Sequence, residues 1–236
     1  ILAKVALVKG ERSCETVEKV IELAGGLREF VGKPILIKVN FITTKSWNTG
    51  ATTDPIVVEG LIKCLKTVND RVAVVESDAT MTNADKAYRM TGMNVVCEKY
   101  GVPFVNLRHV REKVKVRVAE PETLPELTLP KMVMDSYVIS AAKLKTHVDT
   151  QVSLGLKNMF GLLPDKFKAK YHLKNIEKVV VDINIVVKPS FTIIDGFVGM
   201  EGEGPVNGDP VRMNVVIAGR DPVATDSVAA QVMGFD

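Results

Sequence analysis

The sequence predicts an α/β fold: a mostly parallel sheet with helices on both faces, in one body or divided into two lobes. Three observations predict it. Short runs of strand length recur, separated by helix-length segments with one apolar face. Several of these runs are apolar throughout rather than alternating, as strands covered on both faces are. Two helices open with the same pair, Asp54–Pro55 and Asp221–Pro222, which supplies an N-cap and a first-turn proline.

In order, residues 3–8 are the first strand. Ser13 caps a helix running to about Ala24, with Val17, Val20, Ile21 and Ala24 on one face and Gly25 and Gly26 closing it. Residues 34–39 form a second buried strand, ending at Lys38 and Asn40, and a polar loop spans 43–53. The helix from Asp54 buries Ile56, Val57, Gly60, Leu61, Cys64 and Leu65. Residues 71–76 are the third strand, 77–83 its loop, and one helix then runs to about Tyr100, with a fourth strand at 102–107. Residues 113–118 alternate strictly, so they predict a half-exposed strand with a basic outer face. Residues 120–130 hold three prolines and are expected to be a connection. A strand is expected over 132–142 and a helix over 149–160. A further helix covers 176–187, and a short strand at 191–194 ends at Asp195 and Gly196. Residues 199–210, with four glycines and two prolines, are expected to be a loop, followed by a strand at 213–218 and a last helix closed by Gly234.

Composition narrows the class. With 46% hydrophobic and 25% charged residues over 236, the chain can build a sizeable core. A net charge of +3 does not by itself point to nucleic acid. The basic patch Arg108, Arg111, Lys113, Lys115 and Arg117 has no interleaved aromatics, so a solvated edge strand explains it better than nucleic-acid binding. Cys14, Cys64 and Cys97 are widely spaced and include no CxxC, so neither a disulfide framework nor an iron–sulfur cluster within this chain is expected. No apolar run reaches membrane-spanning length and no signal peptide is visible, so the expectation is a cytoplasmic protein without a membrane partner. The chain opens on Ile1, and residues 1–236 are read as one α/β domain of a longer chain.

Ligands of open α/β sheets sit at the carboxyl ends of the strands. Four such ends are polar: Lys38 with Asn40, Ser77 with Asp78, Lys143 with Lys145, Thr146 and His147, and Asp195 with its glycine loop. Lysines there suit a carboxylate or phosphate, so Lys38, Lys143 and Lys145 are expected to hold a small anion, with Asn40 and Asn158 orienting it. The competing explanation is solvated loop lysines in local salt bridges. Lys157 lies among Leu154, Leu156, Met159 and Phe160, surroundings that lower a lysine's pKa and make it a nucleophile or cofactor anchor. A lysine whose stem merely covers the core fits the same pattern. His147 is expected to transfer a proton, and His172 to be a ligand or second acid. Asp195 and Glu203 are expected to close the site from the glycine loop, where the alternative is a plain surface turn. The metal, if any, is left open.

KLKTH, GLKNMFGLLP, the later His172, IDGFVGMEGEGP with NGDP, and AGRDPVATD together resemble the domain of unknown function 362 family over nearly the whole chain, including KVN at 38–40. The resemblance carries no established chemistry. It implies redox-linked work in anaerobic metabolism, because members are often joined to ferredoxin-like iron–sulfur modules. Such a module would here stand beyond a terminus of this sequence or come from a partner. A more distant similarity is to the lactate racemase family of nickel-pincer enzymes, in which a histidine, a cofactor-bearing lysine and a nickel-ligating histidine follow in the order and spacing of His147, Lys157 and His172. That similarity implies a nickel-pincer-type or other lysine-linked cofactor at Lys157. It does not extend to racemisation, because the loop ESDATMTNAD lacks that family's second histidine. Two expectations follow: an enzyme-like protein binding a small anionic metabolite or cofactor, or a non-catalytic docking subunit for an iron–sulfur partner.

Overall fold

The computed structural model describes residues 3–235. The amino-terminal half runs β1 (Val5–Lys9), α1 (Cys14–Leu23), β2 (Ile35–Lys38), α2 (Pro55–Lys66), β3 (Val72–Glu76), α3 (Ala84–Met90), α4 (Met93–Tyr100), β4 (Phe104–Asn106), β5 (Lys113–Arg117) and β6 (Glu126–Pro130). The rest is α5 (Lys131–Met134), β7 (Tyr137–His147), β8 (Gln151–Ser153), α6 (Gly155–Asn158), α7 (Ala169–His172), α8 (Ile176–Val186), β9 (Phe191–Glu201), β10 (Asp209–Gly219) and α9 (Pro222–Val232). Three caps form as their residue types require. Ser13 Oγ accepts from Thr16 N at 3.3 Å, Asp54 Oδ1 from Ile56 N at 3.0 Å, and Asp221 Oδ1 from Ala224 N at 2.9 Å.

The central sheet has the strand order β1-β10-β9-β7-β2-β3-β4, with β8 added to β7. Strands β9, β7, β2, β3 and β4 are mutually parallel, whereas β10, β1 and β8 join antiparallel, so the sheet is mostly parallel. From β2 the chain winds outward through β3 to β4, then returns to the other side of β2 as β7 and winds on to β9. The order therefore reverses between β2 and β7. Successive strand residues enter opposite cores, as a two-fold period demands. Ile35 and Ile37 pack with Val17, Leu61 and Ile62 of α1 and α2, whereas Leu36 packs with Met159, Leu162 and Ile183 on the α8 side.

Several expectations need correction. The helix expected up to Tyr100 is two, α3 and α4, parted by Gly92 at φ 81°. The expected connection at 120–130 contains strand β6, because Val114 and Val116 of β5 find Leu129 and Leu127 across an antiparallel pair. The strand expected over 132–142 begins only at Tyr137 and runs on through His147, so the lysine clump is strand rather than loop. The helix expected over 149–160 is instead β8, the one-turn α6 and a 3-10 turn at Met159–Leu162. Finally, β9 and β10 are 11 residues each and leave a loop of only 202–208. The glycines of β9 serve close packing rather than looping. A Cβ on Gly196 would stand 2.8 Å from Val215 Cγ2 and 2.9 Å from Leu144 Cδ2. Among the described residues no helix is long and apolar enough to cross a membrane.

Candidate functional site

The carboxyl ends of β2, β3 and β7 open into a cleft of about 300 Å³. It lies where the strand order reverses, the position at which open α/β sheets take ligands. Strand β2 and the residues after it supply Lys38 and Asn40, β3 supplies Glu76 and then Ser77, and β7 supplies Lys145 and His147. Lys157 and Asn158 enter on α6, Phe160 on the 3-10 turn, and Lys168 and His172 at the two ends of the α7 turn.

Asn158 ties this assembly to the sheet. Its amide donates to Lys38 O at 2.9 Å and to Ser140 Oγ at 3.2 Å, while its oxygen accepts from Lys38 Nζ and from Asn40 Nδ2, each at 3.3 Å. Beside it Lys38 meets Glu76 at 2.8 Å, and Glu76 also accepts from Phe41 N at 3.0 Å and Ser77 N at 2.9 Å. Burial pushes the Lys38 pKa down and the Glu76 charge opposes it.

The other three lysines have no such acid. Lys145 is fully buried and donates only to neutral oxygens: Asn40 Oδ1 at 3.0 Å, Ala51 O at 2.7 Å and Pro205 O at 3.3 Å. Burial first, then the charges of Lys143 and Lys157, hold its pKa well below the ordinary lysine range. Lys168 is buried and donates to Ser77 Oγ at 2.5 Å, with its pKa pushed down to about 8 by burial, against the pull of Glu76. Lys157 is half-buried, with Nζ 4.8 Å from the centre of the Phe160 ring. Burial lowers its pKa to about 8, Asp149 opposing and Lys38 assisting.

The histidines differ. His147 is buried and its Nδ1 accepts from Asp149 N at 3.1 Å, so the neutral ring carries its proton on Nε2. Burial and then Lys157 lower its pKa to about 4, which keeps it uncharged near neutrality. His172 sits on the rim, its Nδ1 2.9 Å from the Asp149 carboxylate.

Seven of the ten expected residues therefore share one cleft: Lys38, Asn40, Lys145, His147, Lys157, Asn158 and His172. Three do not. Lys143 and Asp195 meet each other at 2.7 Å with no exposure on either side chain. Asp195 also accepts from Asp54 N at 2.8 Å and Phe197 N at 3.1 Å. Because β9 continues to Glu201, Asp195 lies in mid-strand opposite Lys143 rather than at a strand end, and neither lines the cleft. Glu203 is exposed, and its loop reaches the cleft through Pro205 and Val206 instead.

Two residues escaped the sequence reading. Glu76 was legible as an acid ending an apolar run, at the place where Ser77 already drew notice. Lys168 had no signal, standing in a string of alternating lysines, 166, 168 and 170, that looks solvated. The nickel-ligating position of the resembled family falls on His172, whose Nδ1 stands against the Asp149 carboxylate. Among the described residues no group of three or more His, Cys, Asp or Glu is placed to hold a metal ion by protein ligands alone.

Comparison with known proteins gives three findings. The family described as Domain of unknown function (DUF362) matches residues 35–231. A thylakoid-associated protein of Synechocystis sp. is 27% identical over 225 residues, covering 92% of this chain and 68% of that protein. The lactate racemase apoprotein from Thermoanaerobacterium thermosaccharolyticum aligns at 11% identity with a TM-score of 0.45, over 96% of this chain. This chain spans 56% of that apoprotein's length.

Proposed function

The chain belongs to the DUF362 family, a domain of unknown function, and from that premise we propose that its switch-point cleft binds a small anionic metabolite or cofactor. One observation carries the reading: Lys145, Lys157 and Lys168 converge on the cleft without an acidic partner of their own, while the buried acid Glu76 is already paired with Lys38. A buried cation without a counter-charge is costly, and a carboxylate or phosphate entering the cleft would supply the missing charge. Asn40 and Asn158 would orient it. His147, held neutral with its proton on Nε2, would donate a hydrogen bond to a ligand oxygen rather than act as a base.

Lys157 is the amine for covalent attachment. A pKa of about 8 leaves a usable fraction of free amine near neutrality, and its Nζ lies in the cleft beside the Phe160 ring. A lysine-linked organic group bearing an anion would satisfy both features. The redox-linked setting and ferredoxin-like partner belong to this proposal only through the family resemblance, and co-purification from an anaerobic host tests them.

Calorimetric titration with malonate and with inorganic phosphate tests the anion reading. Binding in the millimolar range or tighter is expected, at least about tenfold weaker in Lys157→Met, a loss of about 1.4 kcal/mol. No heat from either anion, or equal affinity in that variant, would overturn it.

A further inference from the structure

The cleft has two unlike walls. The lysines form one. The other is apolar and comes from different loops: Ile42 after β2, Ala79 and Met81 after β3, Phe160 after α6, and Pro205 and Val206 between β9 and β10. Met81 is 94% exposed although it lines the cleft, and Leu173, beside the rim residue His172, is 90% exposed. Phe167, beside Lys168, is 64% exposed. A site for a bare inorganic anion needs no apolar wall, and scattered loops gain nothing from holding large apolar side chains in water at one mouth.

Resting on the anion reading above, we infer that the ligand is amphipathic: a carboxylate or phosphate head held by Lys145, Lys157 and Lys168, with an alkyl or aryl body lying against Ile42, Met81, Phe160 and Val206. The two walls then have separate tasks. The head restores charge balance to the buried ammonium groups, and the body removes from water the apolar surface that the mouth exposes. The walls face one space, so a single molecule can satisfy both.

A series of monoalkyl phosphates tests this by calorimetry: inorganic phosphate, then ethyl, butyl and hexyl phosphate, all below micelle-forming concentration. Affinity should rise about fourfold for each methylene that becomes buried, then level off once the chain outgrows the wall. Met81→Ser should reduce the ratio of hexyl phosphate to inorganic phosphate affinity. Lys145→Met should weaken every member of the series. A flat series in which inorganic phosphate still binds overturns the inference and leaves the anion reading standing. A series in which nothing binds overturns both. A rising series that Lys145→Met does not weaken shows apolar adsorption without the lysine head, and overturns the inference as well.

Discussion

Lys143 and Lys145 stand two residues apart on β7, both without exposure to solvent, yet their surroundings are opposite. Lys143 meets the Asp195 carboxylate at 2.7 Å, and Asp195 is further held by two backbone amides. That group is complete: cation, anion and hydrogen bonds close on one another, and neither side chain lines the cleft. Lys145 meets three oxygens, all neutral, and faces the open space that Lys157 also borders. Burial of a lysine is therefore not in itself a mark of function. What distinguishes the two is whether the protein itself supplies the counter-charge.

The largest effect should come from breaking the complete group. Lys143→Met leaves Asp195 buried and uncompensated, and unfolding in urea should show a loss of about 3–5 kcal/mol. Lys145→Met should change stability by no more than about 1 kcal/mol, because relief from burying a lone charge offsets the loss of three neutral hydrogen bonds. Its cost should instead appear as weaker anion binding. Equal destabilisation by both variants would erase the distinction.

A pH titration sharpens it. Lys157 and Lys168 have folded pKa values of about 8, below the unfolded value. From about pH 8 to the unfolded lysine value near 10.4 the unfolded chain holds more protons, so these two groups make stability rise with pH. Urea midpoints across that window should show the rise, and saturating phosphate should flatten it. On the acid side, His147 at about 4 lies below its unfolded value of about 6.5. The stability it contributes is present above that value and is lost as pH falls towards 4. Proton NMR should find its ring untitrated down to about pH 5.

The smallest effect concerns a buried acid with no cation. Asp226 on α9 accepts from Gly155 N and Leu156 N, each at 2.8 Å, at the start of the turn that carries Lys157. Burial pushes its pKa up to about 7. Asp226→Asn keeps one oxygen acceptor and loses the other, so a cost of about 1 kcal/mol in thermal or urea unfolding is expected.

Much of the fold was legible where one residue type has one local use. Ser13, Asp54–Pro55 and Asp221–Pro222 mark helix starts by their own chemistry, and the apolar runs at β2 and β3 leave little choice but buried strands. Legibility failed where a residue's use is set by distant neighbours. Gly196 and Gly199 looked like loop residues, but Val215, Met213 and Leu144 press on them within β9. Pro125 and Pro130 looked like a connection, but Pro130 ends a strand with only one partner. In the site, His147, Lys157 and His172 were visible as polar clumps in an apolar setting. Lys143 and Lys145 share a face of β7, but Lys143 finds Asp195 opposite it on β9 while Lys145, two residues further on, lines the cleft, and no local pattern encodes that pairing.

The central claim is that the cleft lysines lack a counter-charge that a ligand provides. Anion binding should then return protons to Lys157 and Lys168. The direct measurement is calorimetric titration of inorganic phosphate at pH 8.5 in two buffers of different ionisation enthalpy. Net uptake of about one proton per anion bound is expected, reduced in Lys157→Met. Binding with no proton uptake, unchanged in that variant, would contradict the account.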